Sequence, residues 1–177
     1  MSRKYLATDA LVSDDGLYRY WLARRLSMGE RSVAFVGLNP STADAAKDDP
    51  TIRKCAGFAA RWGFDWLYMV NLYAWRATDP KRMLAFAKNY EGQAVGFDND
   101  QHLSWVTGRC ELVVPAWGAA KLTPYAKRLS QKILALPHAK ALRLTQEGQP
   151  WHPLYVPYET ELVAVAAQGK AGDREDR

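Results

Sequence analysis

Cysteine is scarce in this chain. Cys55 and Cys110 are the 2 present, far apart and in no zinc or iron–sulfur spacing. That excludes a disulfide framework and is the usage of reduced, buried thiols in an intracellular protein. Histidine is nearly as rare: the 3 residues His102, His138 and His152 form no ligand set with metal spacing, so no metal is expected. Clustered glycine is missing too. Gly37 stands alone after the first apolar run, where a phosphate-cradling loop or a dinucleotide fingerprint needs several glycines to admit the ligand, so no organic cofactor is expected. No serine sits in a nucleophile elbow. No apolar stretch approaches the length of a membrane span, and the N-terminus lacks the basic flank and apolar core of a signal. A cytoplasmic protein without a membrane partner is the expectation.

What remains is an ordinary globular composition. The 177 residues are 48% hydrophobic and 24% charged, enough chain to bury a substantial core without staples. A single domain over 1–168, monomeric, is expected, followed by a flexible charged tail at 169–177 that mixes both signs. The net charge of +5 then belongs to the folded part and agrees with a polyanionic partner. Among 7 Trp and 9 Tyr some can offer stacking surfaces for bases, although most aromatic residues serve packing.

The chain is organised around Val33-Ala34-Phe35-Val36-Gly37-Leu38-Asn39-Pro40-Ser41-Thr42-Ala43-Asp44, an apolar, β-branched run that stops at a glycine and passes into small polar residues. A strand over 32–37 is expected to feed a functional turn here. Upstream, Leu17, Tyr20, Trp21 and Arg24 share one face of a helical or irregular segment, with Arg24 and Arg25 solvated at the sheet edge. Downstream, Asp49 caps a helix that opens on Pro50 and runs to Trp62. Further strands are expected within 65–74, 111–114 and 141–145, and helices open at Pro80 and around Lys127, Leu129 and Ile133. Strands alternating with helices imply right-handed crossovers, hence a three-layer α/β/α sandwich around a central four-stranded parallel sheet.

In such a sheet ligands lie outside the carboxyl ends of the strands. Four loops reach that edge, over 39–44, 71–79, 117–121 and 148–155. Each candidate has two readings. Asn39 before Pro40 either faces the site or bonds its own turn, and Asn71 either reads an amide edge or is a satisfied core amide. His152 is a site residue or a loop residue, and Asp49 is mainly a helix cap. Trp75 and Trp117 stack on a base or pack the core. Arg76 meets phosphate or solvent.

Gly37-Leu38-Asn39-Pro40-Ser41, together with His152-Pro153 after the last strand, resembles the two signature loops of the uracil-DNA glycosylase superfamily, in particular its mismatch-specific branch. Over nearly its full length the chain also resembles the DUF1643 family. Gly-Leu-Asn-Pro-Ser-Thr-Ala-Asp, Asp-Asp-Pro-Thr-Ile-Arg, Asn-Leu-Tyr-Ala-Trp-Arg-Ala-Thr-Asp-Pro and His-Pro-Leu-Tyr carry that likeness. The glycosylase resemblance implies a uracil-DNA glycosylase-like fold and a flipped base held in a pocket, with its N-glycosidic bond cleaved through an oxocarbenium-like state. Asn39 would position the water, His152 would stabilise the leaving base, and Asp44 would join them as a catalytic residue. Gly37, Leu38, Pro40, Ser41, Thr42, Asn71, Trp75 and Trp117 would line the base site. Arg53, Arg76 and Lys121 would meet the nucleic-acid backbone. The first loop of that superfamily often carries a carboxylate where this chain has Asn39, so Asp44, Asp48 or Asp49 would supply acidic support. The implied partner is nucleic acid, DNA before RNA, or a nucleotide. A non-catalytic binding module with the same pocket is the alternative.

Overall fold

The computed structural model describes residues 4–165; the tail expected at 169–177 lies outside the described residues. The elements are β1 (Ala7–Val12), β2 (Arg19–Arg25), β3 (Ser32–Gly37), α1 (Pro50–Arg61), β4 (Trp66–Asn71), α2 (Pro80–Asn89), α3 (Glu91–Val95), α4 (Asn99–Thr107), β5 (Leu112–Pro115), α5 (Pro124–Leu134), β6 (Lys140–Ala141), a 3₁₀ turn (Pro153–Tyr155) and β7 (Val163–Ala164). Five strands form the main sheet in the order β1-β2-β4-β3-β5. The β4-β3-β5 part is parallel, while β2 runs antiparallel to both β1 and β4. The fold is therefore a mixed α/β architecture, and the four-stranded parallel sheet expected from the sequence is corrected to a five-stranded mixed one.

β3 lies inside the sheet, between β4 and β5, and is buried throughout. Val33 and Phe35 point into a core shared with Ile52, Cys55, Phe58 and Ala59 of α1. Ala34 and Val36 point into a second core with Met83, Ala87, Leu103, Val106, Leu129 and Ile133 of α2, α4 and α5. Helices thus cover both faces, which is why β3 reads as a continuous apolar run rather than an alternating one. α1 starts as its sequence dictates: the Asp49 carboxylate accepts the Ile52 amide at 2.8 Å and Pro50 occupies the first turn. Gly63 takes up the left-handed φ of +74° after the helix.

Two other expectations are corrected. The segment around Leu17–Leu26 is not helical, and Arg24 is not solvated. β2 lies between β1 and β4, and Arg24 is 1% exposed with its Nε and Nη2 both 2.9 Å from Asp48 Oδ1. Apolar spacing misled because β2 is covered on both sides, which erases the strand's alternation and leaves an accidental helical period. The strand expected over 141–145 shrinks to β6. It pairs antiparallel with β7, and just before it Ala139 forms a parallel bridge to Val113 of β5. Beyond it the chain folds back on itself, Thr145 N donating to Gln149 O at 2.8 Å, with Leu144 bridging to Pro150. Among the described residues no helix is long and apolar enough to cross a membrane.

Candidate functional site

β3, β4 and β5 end at one edge, with Gly37 in register with Asn71 and Val36 with Pro115. Beyond that edge lies a cleft of about 530 Å³. Because β2 is antiparallel to β4, its amino end reaches the same edge, and Arg19 lines the cleft with Gly37, Leu38, Asn39 and Ser41 of the first loop. Asp49, Asn71, Trp117 and His152 add polar and aromatic lining, as do Thr51, Thr78, Lys81 and Tyr155, and Ile52, Met69, Leu84 and Leu154 give apolar walls.

At the floor, Gly37 and Asn71 are matched. A Cβ on Gly37 would stand 2.7 Å from Asn71 Oδ1, so the glycine is what lets the amide lie over the strand end. Asn71 is 2% exposed and its Nδ2 has no hydrogen-bond partner among the described residues. A buried amide with an open donor is costly unless a ligand supplies the acceptor. The Asn71 main chain is secured from behind, its carbonyl and that of Leu72 accepting from the buried Asn99 Nδ2 at 3.0 and 3.2 Å.

Asn39 bonds its own loop and also lines the cleft. Its Nδ2 donates to Pro40 O at 3.0 Å and to Ala77 O at 2.9 Å, clamping the β3 loop to the chain that enters α2. Its Oδ1 receives no hydrogen bond among the described residues, and the side chain lines the cleft. His152 caps the 3₁₀ turn, Nδ1 accepting from Leu154 N at 3.4 Å. A neutral ring so bonded carries its proton on Nε2. Burial holds the His152 pKa below its usual value, opposed by the nearby Asp49 charge, so the ring is neutral and a donor at pH 7. A Cβ added to Gly118, which sits at φ +76°, would stand 3.8 Å from the His152 Cβ. The Trp117 indole is 2% exposed and donates to Gln149 Oε1 at 3.4 Å.

The other expected residues stand outside the cleft lining. Pro40 is buried and Thr42 exposed beside it. Asp44 Oδ1 accepts the amides of Ala46 and Lys47 at 2.8 and 2.9 Å, and these bonds, Ala46 first, hold its carboxyl below the usual range. Asp48 is the partner of Arg24 and of the Tyr5 hydroxyl. Trp75 packs on Phe86 with ring centroids 4.3 Å apart. Arg53 donates to Asp48 O at 3.0 Å and Arg76 to Gly16 O at 3.2 Å, while Lys121 is exposed. Of the three acidic candidates, only Asp49 faces the cleft.

Arg19 was not anticipated. It is 2% exposed, its Nη1 donates to Ala43 O at 2.8 Å, and its Nε has no partner among the described residues. Burial lowers its pKa to about 10, with Asp49 opposing and Arg76 and Arg24 reinforcing the shift. The guanidinium still carries its charge at neutral pH. Nothing in the local sequence marks it except an arginine inside a strongly aromatic strand, a pattern that asks for a buried role once the strand is recognised.

The cleft thus combines open donors on Asn71, Arg19 and His152 with an acceptor on Asn39 and a carboxylate on Asp49, between apolar walls. Such a lining suits a small planar ligand that offers acceptors to a polar floor. Among the described residues no group of three or more His, Cys, Asp or Glu side chains is placed to hold a metal ion. Searches of curated proteins and of solved structures return no significant match. A family model described as "Protein of unknown function (DUF1643)" matches residues 19–154. That span begins at the cleft arginine, ends two residues after the cleft histidine, and covers most of the chain, which therefore belongs to the DUF1643 family.

Proposed function

We propose that the cleft receives a nucleobase, flipped out of DNA or carried by a nucleotide, and that the protein is glycosylase-like, hydrolysing the N-glycosidic bond of that base. The observation that carries this reading is the convergence of Asn39, Asn71 and His152 in one cleft. The loop sequence Gly37 to Ser41 and the pair His152-Pro153, which resemble the signature loops of the uracil-DNA glycosylase superfamily, support it. Asn71 Nδ2 donates to a carbonyl of the base, and Trp117 and Met69 flank its faces. Asn39 Oδ1 accepts a hydrogen from the attacking water. As the C–N bond breaks, its electron pair leaves with the base, where the His152 Nε2–H stabilises the developing charge. Asp49 supplies negative charge for the oxocarbenium-like sugar and takes the proton that water loses.

Duplex and single-stranded oligonucleotides bearing uracil, mismatched thymine or hypermodified pyrimidines test the proposal. An alkali-labile abasic site is the expected product, formed about 10²–10³-fold more slowly by Asn39→Ala and by His152→Ala. No abasic product, or a wild type indistinguishable from Asn39→Ala, would sink it. One observation favours a second reading, a binding module without turnover: the Asn39 amide nitrogen is held by two loop carbonyls, and an amide cannot act as a base. Salt-dependent retention of the same oligonucleotides, without product, distinguishes that case.

A further inference from the structure

Within the cleft, Arg19 is the side chain least explained by the protein around it. We infer that the ligand of this cleft carries an oxyanion, a carboxylate or a phosphate, that pairs with the Arg19 guanidinium. The inference rests on the cleft being the ligand site proposed above and adds a charge to that ligand.

A guanidinium removed from water needs a counter-charge or a full set of acceptors. The ion pairs of the described residues are Arg24–Asp48, Arg25–Glu30, Arg31–Glu111 and Arg61–Glu159; Arg19 belongs to none. Asp49 acts on it at longer range only, and the Asp49 Oδ1 already accepts the Ile52 amide. Arg76 and Arg24 add like charge nearby. Arg24 is compensated by Asp48, whereas the Arg76 Nε is itself buried without a partner.

The open part of Arg19 has a definite shape. Nη1 is tied to the Ala43 carbonyl, which leaves the side of the guanidinium formed by Nε and Nη2 without a protein acceptor among the described residues. Two parallel N–H donors on that side are the fork that meets a carboxylate or phosphate bidentately. A second donor lines the same cleft. Arg19 N donates to Ala74 O at 3.0 Å, just beyond the end of β4, and Asn71, whose Nδ2 is also buried and open among the described residues, ends that strand. Two neighbouring strands therefore present unmatched donors to one cleft, and a single ligand carrying an oxyanion near a carbonyl satisfies both.

The test compares matched neutral and anionic probes on the full chain by titration calorimetry: uridine against uridine 5′-monophosphate, uracil against uracil-6-carboxylate, and acetate and inorganic phosphate alone. The anionic member of a pair is expected to bind at least about tenfold tighter, as one charge-assisted fork contributes. Whichever pair shows the preference separates carboxylate from phosphate. Arg19→Met, which keeps length and removes charge, is expected to abolish the preference; Arg19→Lys, which keeps charge without the fork, to retain only part of it. Urea unfolding of Arg19→Met without ligand should show no loss of stability, because an uncompensated buried charge has gone. Base-bearing probes that bind wild type regardless of charge overturn the inference and leave base recognition standing. Acetate or phosphate binding that needs Arg19, with no binding of any base, sustains the inference and sinks base recognition. An anion preference that survives Arg19→Met, or no response of wild type to any anion, overturns the inference.

Discussion

Replacing Gly37 by alanine probes the floor of the cleft with the smallest possible change. The added Cβ falls 2.7 Å from Asn71 Oδ1, with the next nearest atoms at 3.8 and 3.9 Å, so the conflict is confined to one side-chain oxygen. Asn71 is 2% exposed at the end of β4, among packed strands, and has little room to swing away. Overpacking of this kind costs about 1–3 kcal/mol, and at this chain size each kcal/mol lowers the melting temperature by about 2–4 °C. Urea unfolding should show the loss as a lower midpoint at unchanged slope. The double variant Gly37→Ala, Asn71→Ala removes the offending oxygen and should recover most of it, so the pair has a coupling energy close to the single-site cost. Asn71→Ala alone should be nearly neutral, since the amide it deletes has an unmatched buried donor. If Gly37→Ala unfolds within about 0.5 kcal/mol of wild type, or if the double variant is no better than Gly37→Ala, then the glycine is not there to seat Asn71.

Removing the carboxylate from the buried Arg24–Asp48 pair leaves a guanidinium that is 1% exposed without its partner, so Asp48→Ala should cost about 3–5 kcal/mol in denaturant unfolding. Adding Arg24→Met should restore a large part of that loss, and failure to do so would mean that the Tyr5 contact or the loop, rather than the charge, is what Asp48 holds. His152 predicts the shape of the stability profile with pH. Burial lowers its folded pKa below the unfolded value of 6.5, so the unfolded chain binds the proton first. The contribution is fully present above about 6.5 and is lost as pH falls through that value toward the folded pKa. The unfolding free energy of wild type minus that of His152→Gln should therefore decline below pH 6.5, and a flat difference would refute the assignment.

Much of the cleft lining is legible in local sequence chemistry. The turn after β3, the Asp49 cap, the Pro50 start of α1 and the amide at the end of β4 were read from local chemistry: a glycine closing an apolar run, a carboxylate before proline, a polar residue ending a buried strand. Each depends on residues within a few positions of one another, which is the range over which caps and turns act. His152 lies in a Gly- and Pro-rich stretch, irregular wherever it falls, and the fold brings it to the cleft. Asp44 is harder to read, because a carboxylate in a polar loop looks the same in sequence whether it faces a ligand or, as here, accepts two amides of its own turn. Asp48 was hidden similarly, as its partner Arg24 lies in a segment whose accidental helical spacing concealed a strand.

The sequence by itself determined the strand–turn unit of β3, the helix starts and the polar groups carried by the loops, because these follow from backbone preferences and short-range hydrogen bonds. It also determined that β3 is covered on both faces, since a run of Val, Ala, Phe and Val without alternation has no solvated side. Only the tertiary structure decided which strands neighbour β3 and in which direction they run, because pairing depends on contacts between residues distant in the chain. That direction matters most at β2. Had it run parallel to β4, Arg19 would stand at the opposite edge of the sheet. Running antiparallel, it delivers a buried guanidinium to the cleft that Asn71 also lines, and the cleft acquires a positive charge that no local pattern announces.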